Sequence, residues 1–506
     1  MELSLILSIL VVILLACYIS KRKDSFDVHK IHVSTKGNSW PWLFGRKSLA
    51  HIVQDAYNDE RDAKYVGFYH RMTPVVMIRD PDLIKSIAVK NFDHFPNHRN
   101  FDNENAETFF KRNLLMLRDD RWKEVRALIT PSFTSSKIRS MFTLISEAAI
   151  NVAEYLSTLP AEGNVIEMRD IISRYTNDVF ASCAFGIVVN SLQDRENRFY
   201  TYGRKILNLH SLAIFNMIML RAFPKLSKKL GITLIDKEVV RFFKEVVSSS
   251  IKMRDQIDIV RPDFIQLMME TRGKLGTGKE LTIDDITAQA FSFFFGGFET
   301  TSSLVCFASY ELATNLDVQR KLRREIDDVR EGIDGEITYE KLRDTKYLDA
   351  VIDETLRMYP IISFTDRQCS KRFELPPAMP GMKPYVVNEG DLLWIPIYAV
   401  QRDPKYFEKP DSFEPDRFLW KSTGSFPHGA YFPFGVGPRI CIGSRFALIQ
   451  AKLVLFHILA RCELKVSCRT SVPMELKKTG VFLNSVNGFW LQILPRDKSH
   501  DVYEGV

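Results

Sequence analysis

Residues 283–315 constrain the fold more than any other part of the chain. If this segment is helical throughout, it is about 50 Å long, which is enough to cross a whole domain. Its middle, residues 291–301, is apolar on nearly every face, as buried helices are. Thr282 and Asp285 have the side chains and the spacing of an N-terminal cap. The sequence therefore predicts a long buried helix that crosses a large globular unit.

Two adjacent glycines interrupt this helix. Gly296 and Gly297 together cost about 2 kcal/mol in helix propensity relative to alanine. One interpretation is that they thin the helix so that a planar cofactor and a small molecule lie against it, while Glu299 and Thr300 relay protons to bound oxygen. The other is a close helix–helix contact, with the Thr300 hydroxyl bonded to its own backbone. Taken alone, the helix favours the second interpretation.

The loop at residues 434–443 is built to present one cysteine. Cys441 comes just before a helical stretch that begins at Ser444, and the positive end of a helix favours a thiolate over a thiol. The three glycines of the loop permit tight turns and the close approach of a flat partner. A buried structural cysteine is the alternative, but the glycines, a proline and Arg439 argue against it. The loop therefore predicts a functional thiolate.

The composition indicates one large unit in a reducing compartment. No linker, repeat or low-complexity block divides the 506 residues after position 50. The 45% of hydrophobic residues and the 36 phenylalanines supply a core and an aromatic pocket. The seven cysteines form no CxxC pair and no zinc-type spacing. The net charge of +7 comes without a basic run that would bind nucleic acid, and it suits an anionic membrane or an acidic protein partner.

The N-terminus predicts a membrane anchor. Residues 3–19 are almost continuously apolar, and about 17 residues is the short end of what spans a bilayer. The basic residues 21–23 follow directly, which places the rest of the chain in the cytosol. A cleaved signal peptide is the alternative, but its basic residues would precede the apolar run. We therefore expect an anchor over residues 1–20, a linker over 21–45 and one domain over 46–506.

The remaining chain is predicted to be mainly α with small β-sheets. Besides the long helix, helix-period spacing predicts helices over residues 121–129, 135–158, 166–185, 239–256, 317–331, 347–358 and 444–462. Residues 64–70 and 74–79 predict a β-hairpin. Asp80 and Pro81 then have the pattern of a helix cap followed by proline at the first helical position.

Two polar pairs stand at helical spacing. Glu354 and Arg357 lie on a helix with little polar surface, so we expect a buried network with Arg417 that specifies structure more than it adds stability. Trp122 and Arg126 lie four residues apart, where an indole N–H and a guanidinium could together hold a carboxylate. A surface tryptophan packed under an arginine stem fits this second pair equally well.

The order of these motifs resembles that of the cytochrome P450 family over essentially the whole chain. The matching motifs are Trp122 and Arg126 of WxxxR, residues 296–300 of the oxygen-activation helix, Glu354 and Arg357 of ExxR, residues 415–418 of the PERF-like turn, and residues 434–443 of FxxGxxxCxG. Gly296 stands where alanine is commoner in the family. Residues 91–95 and 261–264 look most like insect microsomal members that oxidise foreign compounds. The resemblance implies the P450 fold, preceded by one N-terminal transmembrane helix.

The resemblance also implies a haem b cofactor and the residues around it. Cys441 would be the thiolate ligand of the iron, and Glu299 and Thr300 would be the catalytic acid and alcohol. The other cofactor-binding residues would be Trp122, Arg126, Arg367, Arg439, Phe434 and Gly443, with Arg99 as a further candidate. The substrate pocket would be lined by Phe109, Phe110, Phe294, Phe298, Thr301, Ile361, Phe364 and Phe482, and covered by residues 208–235.

By the same resemblance the chain is a haem-thiolate monooxygenase of the endoplasmic reticulum membrane, with its catalytic domain on the cytosolic side. It would insert one atom of O2 into lipophilic molecules such as insecticides, plant toxins, or endogenous lipids and hormones. Electrons would come from NADPH through the flavin of NADPH–cytochrome P450 reductase, with cytochrome b5 as a second partner. The residues expected to dock the reductase are Arg118, Arg121, Lys123, Lys137, Arg139 and Arg445. A haem-thiolate isomerase or dehydratase and a non-catalytic haem-binding protein are the alternatives.

Overall fold

The structure is a computed structural model that describes residues 26, 30–37, 40–43, 45–70, 73–99, 112–207, 219, 224–233, 235–257, 261–270, 281–333, 335–419 and 429–496. The predicted anchor at residues 1–20 lies outside these ranges, as do the pocket candidates Phe109 and Phe110 and most of the predicted cover. Within the described ranges, no helix has both the length and the apolar character needed to cross a membrane.

Helices dominate the described part of the chain. They are α1 Trp40–Leu43, α2 Leu49–Asn58, α3 Pro81–Lys85, α4 Asp119–Ile129, α5 Ser135–Ser140, α6 Phe142–Ser157, α7 Met168–Phe185, α8 Arg198–Leu207, α9 Pro224–Lys229, α10 Lys237–Ile257, α11 Phe264–Met269, α12 Ile283–Thr314, α13 Leu316–Glu331, α14 Tyr339–Arg343, α15 Lys346–Met358, α16 Ile397–Val400, α17 Asp416–Leu419 and α18 Ser444–Arg461. A π-helical turn, Ser86–Lys90, follows α3.

The strands form small sheets at the edges of the helical body. They are β1 Tyr65–His70, β2 Thr73–Ile78, β3 Val165–Glu167, β4 Thr365–Gln368, β5 Phe373–Leu375, β6 Tyr385–Val387, β7 Leu392–Ile395, β8 Cys462–Val466 and β9 Trp490–Pro495. Their orders are β1-β2-β7-β4, β3-β9-β8 and β5-β6, and only β2 and β7 pair in parallel. The predicted mainly α class with small sheets is thereby confirmed.

The predicted long helix forms as α12 and organises the helical body. The Asp285 amide donates to Thr282 Oγ1 at 3.1 Å and the Thr282 amide donates to Asp285 Oδ2 at 3.0 Å, so the predicted cap is present. Most of α12 is buried, apart from the stretch around Gly296, and the helix packs against α7, α10 and α18. These three contacts determine which faces of α12 are covered by other helices.

Two hydrophobic cores meet at the loop that carries Cys441. The larger core lies among the helices, and the smaller one lies between α2 and the four-stranded sheet. Phe434 and Ile442 pack on the helical core, while Val436 packs on the sheet core. The loop is therefore held from both sides.

Two predicted helix bounds are wrong. The helix expected over residues 135–158 ends at Ser140 and restarts at Phe142, with Met141 between them. Met141 and Phe142 are both buried, and two successive residues point about 100° apart on a straight helix, so the break lets both reach the core. Residues 166 and 167 belong to β3, which pairs with Trp490 and Leu491 at the far end of the chain.

Candidate functional site

The Cys441 loop is a tight turn that presents its cysteine outward. The Cys441 amide donates to Phe434 O at 3.0 Å. Gly435 and Gly437 have φ angles of +82° and +79°, and a Cβ on Gly437 would lie 1.9 Å from Ala88 O in the π-helical turn. The third glycine, Gly443, has an ordinary φ of −90° as the N-cap of α18, so its backbone does not demand glycine.

The Cys441 residue is exposed, yet protein atoms crowd its sulfur. This dehydration raises the pKa of the thiol, and the amide of Gly443, the guanidinium of Arg126 and the amide of Ser444 offset only part of the rise. The N-terminus of α18 alone is therefore not enough to favour the thiolate over the thiol, contrary to the prediction from the sequence. A cation bound at the sulfur would favour the thiolate.

Four guanidinium groups converge beside this loop. Burial, followed by the charges of Arg367, Arg118 and Arg126, lowers the pKa of Arg439 to about 9. Burial also lowers the pKa of Arg367 to about 10, and its Nε atom is buried with no hydrogen-bond partner among the described residues. Like charges that repel in a dehydrated place weaken the fold until an anion neutralises them. The cluster fits a group that carries more than one negative charge.

Each arginine also holds a neighbouring segment in place. Arg126 Nη2 donates to Ile440 O at 3.0 Å, and Arg367 Nη2 donates to Val436 O at 3.0 Å. The Arg439 guanidinium carbon lies 4.0 Å from the centroid of the buried Trp122 ring. Trp122 and Arg126 therefore both face the loop. Because Trp122 is buried and Arg439 lies over its ring, the alternative of a surface tryptophan packed under an arginine stem is wrong. The Arg99 side chain instead donates to Thr73 Oγ1 at 3.1 Å.

The two glycines of α12 have different surroundings. A Cβ on Gly297 would lie 2.0 Å from Cζ of Phe180 in α7, so this glycine permits a close helix–helix contact. A Cβ on Gly296 would meet nothing within 4 Å, so this face of α12 is open. The interpretation as a close helix–helix contact therefore holds at Gly297, while the cofactor interpretation stays a prediction for Gly296. On the open face, the Thr300 hydroxyl donates back to Gly296 O at 2.5 Å.

Glu299, which directly precedes Thr300 in α12, faces α7. Its Oε1 accepts from Arg169 Nη1 at 2.6 Å, and the same guanidinium donates to Ser303 Oγ at 3.2 Å. About a fifth of each side chain is exposed, at 18% for Arg169 and 20% for Glu299. Thr301 is buried, and its Oγ1 has no partner among the described residues, so Thr301 does not line an open pocket.

Glu354, Arg357 and Arg417 come together in a buried network. Arg357 Nε donates to Glu354 Oε2 at 2.7 Å and Arg357 Nη2 donates to Glu354 Oε1 at 2.9 Å, with both side chains fully buried. Arg417 Nε donates to Glu354 Oε1 at 3.1 Å. Arg357 also donates to the carbonyls of Gln401 and Pro410, at 3.0 and 2.8 Å. The network ties α15 to the segment that leads to the Cys441 loop.

The predicted pocket residues that the structure describes fall into two groups, one in the helical core and one at the edge of the sheets. Phe294 and Phe298 are buried at 0% and 2% exposure inside an aromatic cluster, so they belong to the core and not to a pocket surface. Phe364 stacks on Trp394 with ring centroids 3.6 Å apart. An isolated β-bridge pairs Ile362 with Phe482, which brings the two predicted pocket segments together.

Sequence reasoning missed several residues around this site. At the β-bridge, Ile362 is 40% exposed whereas the predicted Ile361 is buried, an alternation that only the pairing reveals. His98 Nδ1 lies 2.9 Å from Asp366 Oδ1, beside Arg367. Asn97 contacts Arg439 and Asp119. No local pattern singles out these residues, because their partners lie far away in the sequence.

The basic residues expected at a docking surface are mostly paired within the chain. Arg121 lies 3.2 Å from Glu124, and Arg139 lies 2.9 Å from Glu340. Arg445, which follows the Cys441 loop, is exposed.

Comparisons with known proteins identify relatives that span almost the whole chain. Residues 37–491 match the family described as Cytochrome P450. The chain is 40% identical over 489 residues to cytochrome P450 9e2 of Blattella germanica, with 91% of each protein covered. It is 39% identical over 492 residues to the probable cytochrome P450 9f2 of Drosophila melanogaster, which covers 94% of this chain and 95% of that protein. These relatives confirm the predicted similarity to insect members.

Proposed function

We propose, from the premise that this chain belongs to the cytochrome P450 family, that it is a haem monooxygenase whose substrates are lipophilic small molecules, including foreign compounds such as insecticides and plant toxins. The observation that carries the proposal is the convergence of four arginines beside the exposed Cys441. The exposed side chain of Ile362, which is paired with Phe482, supports a lipophilic substrate, and so does the open space over Gly296 of α12.

Haem fits the residues present. Cys441 would hold the iron, and Arg126, Arg367 and Arg439, with Trp122 packed behind, would hold the propionates. Haem iron with a thiolate ligand supplies the activation of dioxygen. The absence of a Cβ at Gly296 leaves room for a flat group against α12.

We propose that Thr300 and Glu299 handle the protons of the reaction. Thr300 Oγ1 lies on the open face of α12, and rotation of its O–H bond would turn the proton from Gly296 O toward the open space on that face. Glu299 would resupply the proton, and its ion pair with Arg169 holds Oε1 away from that face between transfers.

We also propose that electrons come from NADPH through NADPH–cytochrome P450 reductase, with cytochrome b5 as a second partner. The exposed Arg445, next to the Cys441 loop, supports an acidic partner at this face. The apolar run at residues 3–19 supports an anchor over 1–20, a linker over 21–45 and a cytosolic domain over 46–506 at the endoplasmic reticulum.

Two measurements test the proposal. Purified protein reduced under carbon monoxide should show the red-shifted Soret absorbance of thiolate-ligated haem, and its absence would refute the site. With reductase present, NADPH consumption should rise with a lipophilic substrate and yield an oxygenated product. Product from a peroxide without NADPH would indicate an isomerase or dehydratase, and binding without any product would indicate a non-catalytic haem protein.

A further inference from the structure

Asn97 lies where three cofactor-facing elements meet. It is 1% exposed, and its carbonyl accepts from the Gln368 amide at 2.8 Å, next to Arg367 of β4. Its Oδ1 accepts from Arg439 Nη2 at 3.2 Å and from the Asp119 amide at 2.9 Å. Its Nδ2 donates to Asp119 Oδ1 at 2.6 Å. One residue thereby joins three elements: its side chain bonds to the Cys441 loop and the start of α4, and its main chain bonds to the strand that carries Arg367.

The start of α4 needs such a support. Asp119 has a φ of +46°, a backbone conformation that costs free energy for a residue with a Cβ. Two hydrogen bonds, one donated by Asn97 Nδ2 and one accepted by Asn97 Oδ1, hold Asp119 in this conformation and so set the direction of α4. The direction of α4 in turn decides where Trp122 and Arg126 stand.

We infer that Asn97 is a positioning residue that holds Arg439 and the start of α4 in the geometry that binds the haem propionates. The inference rests on the proposed function, because it takes haem as the anion of the arginine cluster. Only an amide side chain can make these hydrogen bonds, because the same planar group must accept from two N–H donors and donate to a carboxylate. An aspartate of the same shape would set its own carboxylate against that of Asp119.

The test is the rate of haem loss from the loaded full-length protein to an excess of a haem-scavenging globin. In Asn97→Asp the carboxylates repel and α4 shifts, so haem loss should be about tenfold faster than in the wild type. The exchange variant, Asn97→Asp with Asp119→Asn, restores the bonds to Arg439 and between positions 97 and 119, because the amide introduced at position 119 then donates to the carboxylate introduced at position 97. The Ser370 hydroxyl, which accepts from Asn97 Nδ2 at 3.4 Å, can rotate to donate instead. Its haem loss should return to within about threefold of the wild-type rate.

Asn177→Asp is the matched control. Asn177 is also fully buried, and its Nδ2 donates to the Asp178 carboxylate at 3.3 Å, but it lies in α7 and its bonds are to Asp178 and Ser191. This variant should lower stability without faster haem loss. If Asn97→Asp does not fold, Asp119→Ala provides the milder perturbation, with haem loss expected to be about threefold faster.

The outcomes are decisive for the inference. The positioning role is overturned if Asn97→Asp loses haem at the wild-type rate, or if the exchange variant loses haem as fast as the single variant. Neither result affects the assignment of the haem site itself. A wild-type protein that holds no thiolate-ligated haem overturns the proposed function instead.

Discussion

The two glycines of α12 provide a matched pair of substitutions. In Gly297→Ala the new Cβ would lie 2.0, 2.7 and 3.0 Å from three atoms of the Phe180 ring. Phe180 is 3% exposed and sits edge-on to Phe294 and Phe446, with ring centroids 6.1 and 5.7 Å away, so the ring has little room to move. Overpacking of this kind costs about 1–3 kcal/mol.

The gain in helix propensity acts in the opposite direction and is the same at both sites. Replacing a helical glycine with alanine gains about 1 kcal/mol. Gly297→Ala should therefore be destabilised by about 0–2 kcal/mol after this gain is subtracted. Gly296→Ala meets nothing within 4 Å and should be stabilised by about 1 kcal/mol. The propensity gain cancels in the comparison, so the free energies of unfolding of the two variants should differ by the overpacking cost of about 1–3 kcal/mol.

Urea unfolding of the haem-loaded variants, followed by circular dichroism, measures this difference. Adding Phe180→Leu should recover part of the stability of Gly297→Ala, because the smaller side chain removes the ring atoms that clash. The same change should not help Gly296→Ala. If Gly297→Ala proves as stable as Gly296→Ala, the close contact between α12 and α7 is refuted.

Four further predictions follow from the site and its surroundings. Thr300→Ala should keep haem and ligand binding but divert reducing equivalents to peroxide; fully coupled turnover in a peroxide assay contradicts the proton role. Arg357→Lys cannot reproduce the bidentate pair and the carbonyl bonds, so it should lose about 3 kcal/mol in urea unfolding, and wild-type stability would contradict the network. Burial raises the pKa of Asp178 from 3.8 to about 6, so its contribution to stability is full below pH 3.8 and is lost as pH rises through 6. As the pH falls from 7 to 4, the free energy of unfolding of the wild type should therefore rise by up to about 3 kcal/mol relative to that of Asp178→Asn. If the two free energies change in parallel with pH, the prediction is wrong. Arg445→Glu should slow reduction by the reductase in stopped flow while substrate binding stays unchanged, with Arg469→Glu as the exposed control.

Local patterns predicted the features that depend on local physics. The cap at Thr282, the hairpin of β1 and β2, and the helix that carries Glu354 and Arg357 each follow from spacing within a few residues. Arg417 was named as the third partner from its place in the turn-like stretch at residues 413–418, and its side chain does complete the buried charge pair.

Other features depend on partners that are distant in sequence. A helix that is apolar on every face does not reveal which face meets a cavity, so Phe294 and Phe298 were expected to line the pocket although they belong to the core. Residues 166 and 167 carry helix-period spacing, but the strand at Trp490 recruits them. The role inferred for Asn97 requires three separate elements to be folded before it exists.

The arginine cluster beside Cys441 has a consequence for the life of the protein in the cell. With the guanidinium groups crowded and the Arg367 Nε unpartnered among the described residues, the newly made chain is strained until it takes up its prosthetic group. The supply of the cofactor then limits how much of the newly made protein becomes stably folded. In cells starved of porphyrin, we expect turnover of this polypeptide by proteases to outrun its accumulation, at unchanged levels of its messenger RNA.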